Sequence, residues 1–222
     1  MRPPIHRFYE LLGRPIAFWS RWLLGLAVVP LVIGAFVPLW RIHFLAPQYP
    51  KGLDLYVRSY TIEGGNEGID LPEINTLNHY VGMRKLDPAE FADLDFIPFA
   101  IGALALLGLR VAAIGDVRSL IDLAVLTVYF GAFSLGRFAY MLYTYGHDLD
   151  PKAPIHMDAF MPPIVGTKEM GNFTVSSFPE LGTWLIGVFG AVVAGLALWH
   201  VARAAGRARA KPSDAPLPAE LR

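Results

Sequence analysis

The chain of 222 residues is 54% hydrophobic and 17% charged, and its 19 basic residues balance 19 acidic ones. Nothing in that balance offers a nucleic acid a basic face, and the absence of cysteine excludes disulfides, thiolate metal sites, iron–sulfur ligation and a cysteine nucleophile. A mean hydropathy of +0.41, with the apolar residues in long blocks rather than at amphipathic spacing, points instead to burial in a lipid bilayer.

Residues 1–21 form a basic N-terminal segment with Arg2, Arg7, Arg14 and Arg21. The apolar block 22–40 follows. It reads as a retained span and not a cleaved signal, because the block is long and Leu45-Ala46-Pro47 makes a poor cleavage site. Residues 41–95 are a long loop with signals of local structure. Leu53, Leu55 and Val57 alternate with Asp54, Tyr56 and Arg58 before Glu63-Gly64-Gly65-Asn66, the pattern of a half-exposed strand entering a hairpin. Asp70-Leu71-Pro72-Glu73 and Asp87-Pro88-Ala89-Glu90 then read as two helix starts.

Further apolar blocks occupy 96–114, 120–143 and 183–202, separated by a short turn at 115–119 and a second long loop at 144–182. Prolines and glycines interrupt any periodicity in that second loop, which predicts extended coil with tight turns. The tail 203–222 ends in a Pro- and Ala-rich stretch that reads as flexible. Small residues spaced four apart, Gly187 with Ala191, Ala191 with Gly195 and Ala132 with Gly136, suggest close helix packing. The expectation is an all-α membrane protein: four transmembrane helices with a small extracytoplasmic cap of short helices and a β-hairpin.

Orientation follows from the basic residues, which favour the cytoplasmic side. Arg14 and Arg21, then Arg110 and Arg118, then Arg203, Arg207, Arg209 and Lys211 flank three segments that share one side. Both termini are expected in the cytoplasm of a bacterial cell, with the long loops beyond the inner membrane. The bilayer, and a periplasmic or membrane protein, are the expected partners; no nucleic acid is.

The chemistry available to those loops is imidazole and thioether. His79, His147 and His156, with Met83, Met157 and Met161, form a donor set suited to copper, Cu(I) above all. His79 and Met83 are spaced to share a helical face, whereas His156 and Met157 are chain neighbours. A His-Glu-x-x-His pair, a Gly-x-Ser-x-Gly elbow and paired intramembrane histidines are all missing, which argues against a zinc hydrolase, a serine hydrolase and a bis-histidine haem. Asp122 and Arg137 lie in the third block, where helix-end charges have structural roles by default. A catalytic assignment is not expected.

The words Phe36-Val37-Pro38-Leu39-Trp40, Leu45-Ala46-Pro47-Gln48-Tyr49-Pro50, Ile74-Asn75-Thr76-Leu77-Asn78-His79-Tyr80-Val81-Gly82-Met83 and Gly146-His147-Asp148-Leu149-Asp150-Pro151 resemble a family of small bacterial four-helix membrane proteins. Pro162-Pro163-Ile164-Val165-Gly166 and Asn172-Phe173 fit it too. Members of that family accompany the maturation genes of the periplasmic copper enzyme nitrous-oxide reductase. The resemblance implies an accessory role in denitrification, by copper handling or by docking a maturation partner. His79, Met83 and His147 fall inside the matching words, whereas His156 and Met157 stand where the family is expected to carry an aliphatic residue. The contrasting expectation is a membrane anchor or small subunit of an electron-transfer complex.

Overall fold

The computed structural model describes residues 12–170 and 173–209. In chain order its elements are α1 (Phe18–Gly34), β1 (Trp40–Ala46), β2 (Tyr49–Val57), β3 (Ile62–Gly64), α2 (Asp70–Val81), α3 (Phe96–Ile114), α4 (Val117–His147), β4 (Gly166–Met170), β5 (Phe173–Pro179) and α5 (Leu181–Arg209). The start of the basic N-terminal segment, Asn172 and the Pro-rich tail fall outside the described residues.

The all-α expectation is wrong. The strands form one antiparallel sheet in the order β3-β2-β1-β5-β4, so the fold mixes α and β. The expected four spans are also corrected. Three helical segments, Pro88–Ile114, Val117–His147 and Leu181–Gly206, are long and apolar enough to cross a membrane. The block from Trp22 to Trp40 does not stay helical. α1 has 17 residues, about 26 Å at 1.5 Å per residue, against a hydrocarbon core of about 30 Å. It stops at Gly34, where a Cβ would stand 3.0 Å from the Gly182 carbonyl oxygen, and Trp40 already opens a strand.

Period-two alternation explains the sheet. Trp40, Ile42, Leu53, Leu55, Ile62 and Val175 are buried on its inner face. Arg41, His43, Asp54 and Tyr56 belong to the other, with Arg41 opposite Tyr56 and His43 opposite Asp54 in the β1–β2 register. The expected hairpin exists as β2 and β3, but its turn lies at Arg58 to Thr61, where Arg58 N–H donates to the Thr61 carbonyl at 2.8 Å. Glu63 and Gly64 belong to β3 itself.

The second long loop departs furthest from its expected coil. It contributes β4 and β5, and β5 inserts beside β1 with Ile42 opposite Ser177 and Phe44 opposite Val175. Both anticipated helix starts are present. Asp70 opens α2, and Asp87 caps the 3-10 turn Pro88–Asp95 by accepting from Ala89 N–H at 3.0 Å.

The molecule has two apolar cores. Leu24, Leu31, Ile101, Leu120, Phe189 and Val193 fill the first, where α1, α3, α4 and α5 meet. The second lies under the sheet, with Trp40, Leu55, Ile74 and Tyr145. Helices approach closely at Gly34 with Gly182, and at Gly108 against Val28 and Phe189. Gly136, Gly187 and Gly195 of the anticipated small-residue pairs face open space instead.

The helix ends sort by charge. Val117 N–H donates to the Arg14 carbonyl at 2.9 Å, Arg21 reaches the Ala113 carbonyl at 3.2 Å, and Ser20 Oγ shares a 3.2 Å hydrogen bond with His200 Nε2. Arg14, Arg21, Arg118 and the start of the C-terminal basic run therefore share one end. The sheet and α2 cap the other.

Candidate functional site

Three features of the cap bear on function: the rim that carries the anticipated metal ligands, a charged cluster on the outer sheet face, and a cavity beneath the sheet.

At the rim, α2 ends in a left-handed turn at Gly82 (φ 80°), with Met83 N–H donating to the Asn78 carbonyl at 2.8 Å. The second loop packs against this turn. Asp150 N–H donates to the Gly82 carbonyl at 2.8 Å, Ile155 N–H donates to the Tyr80 carbonyl at 3.0 Å, and Arg84 pairs with Asp148 at 3.0 Å. A Cβ at Gly82 would stand 2.9 Å from that of Ala153, so glycine serves both the turn and the close approach. The segments that carry His79 and Met83, His147, and His156 and Met157 are thus stitched into one rim.

The ligand candidates differ in setting. His79 is exposed and Met83 is half-buried, and both border one open groove with Asn75 and Tyr80. The expected shared helical face does not form, because α2 ends at Val81 and Met83 turns in toward the cap core. His147 is exposed and stacks on Tyr143 at 3.8 Å, and its Nδ1–H donates to the Tyr143 carbonyl at 2.9 Å. That bond fixes the tautomer that leaves Nε2 as the acceptor, the usual arrangement of a ligating imidazole. His156 is exposed and Met157 half-buried. Among the described residues, no group of three or more histidines and carboxylates gathers as a metal site. A copper ion here would depend on one or two imidazoles with the Met83 thioether.

The outer face of the sheet holds a cluster that the sequence reading did not single out. Asp54 Oδ1 accepts from Arg41 Nε at 2.8 Å and from His43 Nδ1 at 2.8 Å, while Arg41 Nη2 donates to Oδ2 at 3.0 Å. Burial alone would push the Asp54 carboxyl up, but these charged hydrogen bonds outweigh it and hold the carboxyl below its ordinary range. The imidazole lies over Gly52, where a Cβ would stand 2.1 Å from Cε1. Cross-strand register is what brings the three side chains together, and it is set by pairing and not by local spacing.

The third feature is a cavity of about 700 Å³ between the inner sheet face and the outer parts of α3, α4 and α5. Trp40, Phe44, Phe91, Phe130, Phe138 and Phe173 contribute aromatic walls. The roof is fixed by Trp40, whose Nε1–H donates to Ser177 Oγ at 2.7 Å while Ser177 Oγ donates to the Ile164 carbonyl at 2.9 Å. Trp40 also packs on Phe138 at 4.9 Å, joining sheet to helix. Among the described residues the charged groups of the lining are Arg58 and Arg137. Arg58 pairs with Glu63 at 2.6 Å. Arg137 Nη1 is shielded from solvent, and the guanidinium lies 5.8 Å from the Tyr140 ring.

No family model, curated protein or solved structure matches the chain.

Proposed function

We propose that this chain is an accessory protein of the bacterial inner membrane, with both termini in the cytoplasm, that supports a periplasmic copper enzyme of the nitrous-oxide reductase type through its cap. The observation that supports this reading is the rim. Backbone hydrogen bonds from Asp150 and Ile155 to the end of α2 unite imidazole- and thioether-bearing segments that are far apart in the chain. The His147 tautomer adds an outward nitrogen. Helices long and apolar enough for a bilayer carry the cap, and Arg14, Arg21, Arg118 and Arg203 gather at the opposite end of the molecule, while the cap holds basic residues of its own such as Arg41, Arg58 and Arg84.

His79, Met83 and His147 would hold the ion, with His156 and Met157 as further donors on the same rim. Imidazole and thioether are soft enough for Cu(I) and would pass it to a partner by ligand exchange. Docking of a maturation partner on the same rim is the form of the role that needs no metal.

Competition for Cu(I) between a chelating probe and the purified protein in detergent tests the copper form. The wild type should hold one ion, and His79→Ala, Met83→Ala and His147→Ala should each weaken binding about tenfold or more. A wild type that competes no better than these variants removes copper handling from the reading and leaves docking, to be followed by identifying what co-purifies with the rim intact and not with Arg84→Glu.

A further inference from the structure

The cavity beneath the sheet lies apart from the copper reading, since Met83 alone of the rim donors borders it. α4 sets its length, lining it from Phe130 to Tyr145, about 22 Å at 1.5 Å per residue. At one end Phe96, Phe133 and Leu135 line it while remaining more than half exposed, and all three lie in helical segments long and apolar enough to cross a membrane. An opening framed by such side chains faces hydrocarbon and not water, so the occupant comes from the bilayer.

The other end, inside the cap, is polar. Asn78 lines it and is only 4% exposed. Its Nδ2–H donates to the Arg84 carbonyl at 3.5 Å, and the Tyr145 hydroxyl donates to the next carbonyl along, Lys85, also at 3.5 Å. Both bonds stand at the outer limit of useful length. The Arg84 contact orients the amide, because a flipped amide would set its oxygen against that carbonyl. Asn78 Oδ1 is left as an acceptor with no partner among the described residues. A buried amide oxygen without a donor is costly, and here it borders a cavity, so a ligand that brings a hydroxyl satisfies it.

That hydroxyl belongs to an uncharged head, since one amide and one phenol are too few to replace the water around a phosphate. Beside it the Phe91 and Tyr145 rings lie 17° from parallel with centroids 6.1 Å apart, aryl faces suited to a flat ring. We infer that this cavity binds one prenylated quinol of the bilayer, with a ring hydroxyl donating to Asn78 Oδ1 and the tail running past Phe138 and Phe130 toward the membrane. The site requires the helices to lie in a bilayer, as the proposed function does, but it requires no copper at the rim. Gly131 and Gly187 both border the cavity, and a Cβ at either meets nothing within 4 Å, so a leucine there fills the space without displacing a neighbour.

The experiment uses the full chain, delipidated in detergent and dialysed without oxygen against decylubiquinol or decylubiquinone, with the bound compound extracted and counted. The wild type should hold one quinol per chain and prefer it to the quinone about tenfold, the worth of the one hydrogen bond that a quinone cannot donate. Asn78→Leu should hold the two forms equally. Gly131→Leu and Gly187→Leu should hold neither while keeping the wild-type unfolding midpoint, and dioleoylglycerol, whose neutral head carries a hydroxyl but no ring, should not displace the quinol. Absence of quinol binding or of a preference in the wild type, an undiminished preference in Asn78→Leu, unchanged binding in both leucine variants, or displacement by an equal concentration of dioleoylglycerol each overturns the inference. Loss of Cu(I) binding at the rim leaves every one of these outcomes as stated.

Discussion

A β-carbon at Gly52 would meet the His43 ring at 2.1 Å, and the backbone there has φ +77°, so two separate constraints demand glycine at one position. Gly52→Ala should cost roughly 2–4 kcal/mol, combining a strained left-handed backbone with steric overlap. Chemical denaturation in detergent measures this, and pairing the change with His43→Ala should recover the steric part but not the backbone part. A variant as stable as wild type would show that the imidazole is not seated over Gly52. The same cluster sets an acid limb. Asp54 is held below its ordinary value, near 3.9, by Arg41 and His43 against the opposing pull of burial. Its folded value being the lower one, its contribution is complete above about pH 4 and is lost as pH falls through that folded value. Stability should therefore decline below pH 4 more steeply in wild type than in Asp54→Asn. Equal acid slopes would remove Asp54 as the titrating group.

The elements legible in the sequence are those whose pattern is local. Alternation from Leu53 to Val57 marked β2, and Asp70 and Asp87, each with a proline close behind, marked two helical starts. The strands from 166 to 179 were illegible for a physical reason. β4 reads Gly-Thr-Lys-Glu-Met and buries Met170 alone, as an edge strand can, while β5 owes its place to pairing with β1, more than 120 residues earlier. Trp40 shows the opposite error. An apolar run with an aromatic at its end looks like a membrane span, yet the helix stops at Gly34, beside the first turn of α5, and Trp40 becomes the roof of a cavity. The site divides in the same way. Sequence pointed to the rim residues one by one, but not to their joining by Gly82, Asp150 and Ile155, and Met83 left the helical face that spacing had assigned to it. Arg41, His43 and Asp54 carried no motif, since strand register alone assembles them.

At the scale of the whole molecule, the arrangement is a polar-faced sheet joined to a bundle of apolar helices, with Arg14, Arg21, Arg118 and Arg203 gathered at the far end. That separation is itself a statement about the membrane. Arg14 and Arg21 are tied to the α3–α4 turn, and the Ser20–His200 hydrogen bond brings the start of the C-terminal basic run to the same end, so basic residues from three distant parts of the chain meet there. Basic residues beside apolar helices are retained in the cytoplasm. On the orientation proposed above, the cap, which carries Asn66 between β3 and α2 and Val165 just before β4, would be exported. Reporter fusions at Asn66 and at Val165 should give periplasmic activity, and a fusion after Gly206 should give cytoplasmic activity. Replacing Arg110 and Arg118 with glutamate should weaken this contrast by removing charge from the short turn without touching either core. A cytoplasmic signal at Asn66 or Val165 would place the rim on the wrong side for a periplasmic enzyme, and the copper role would fall with the orientation.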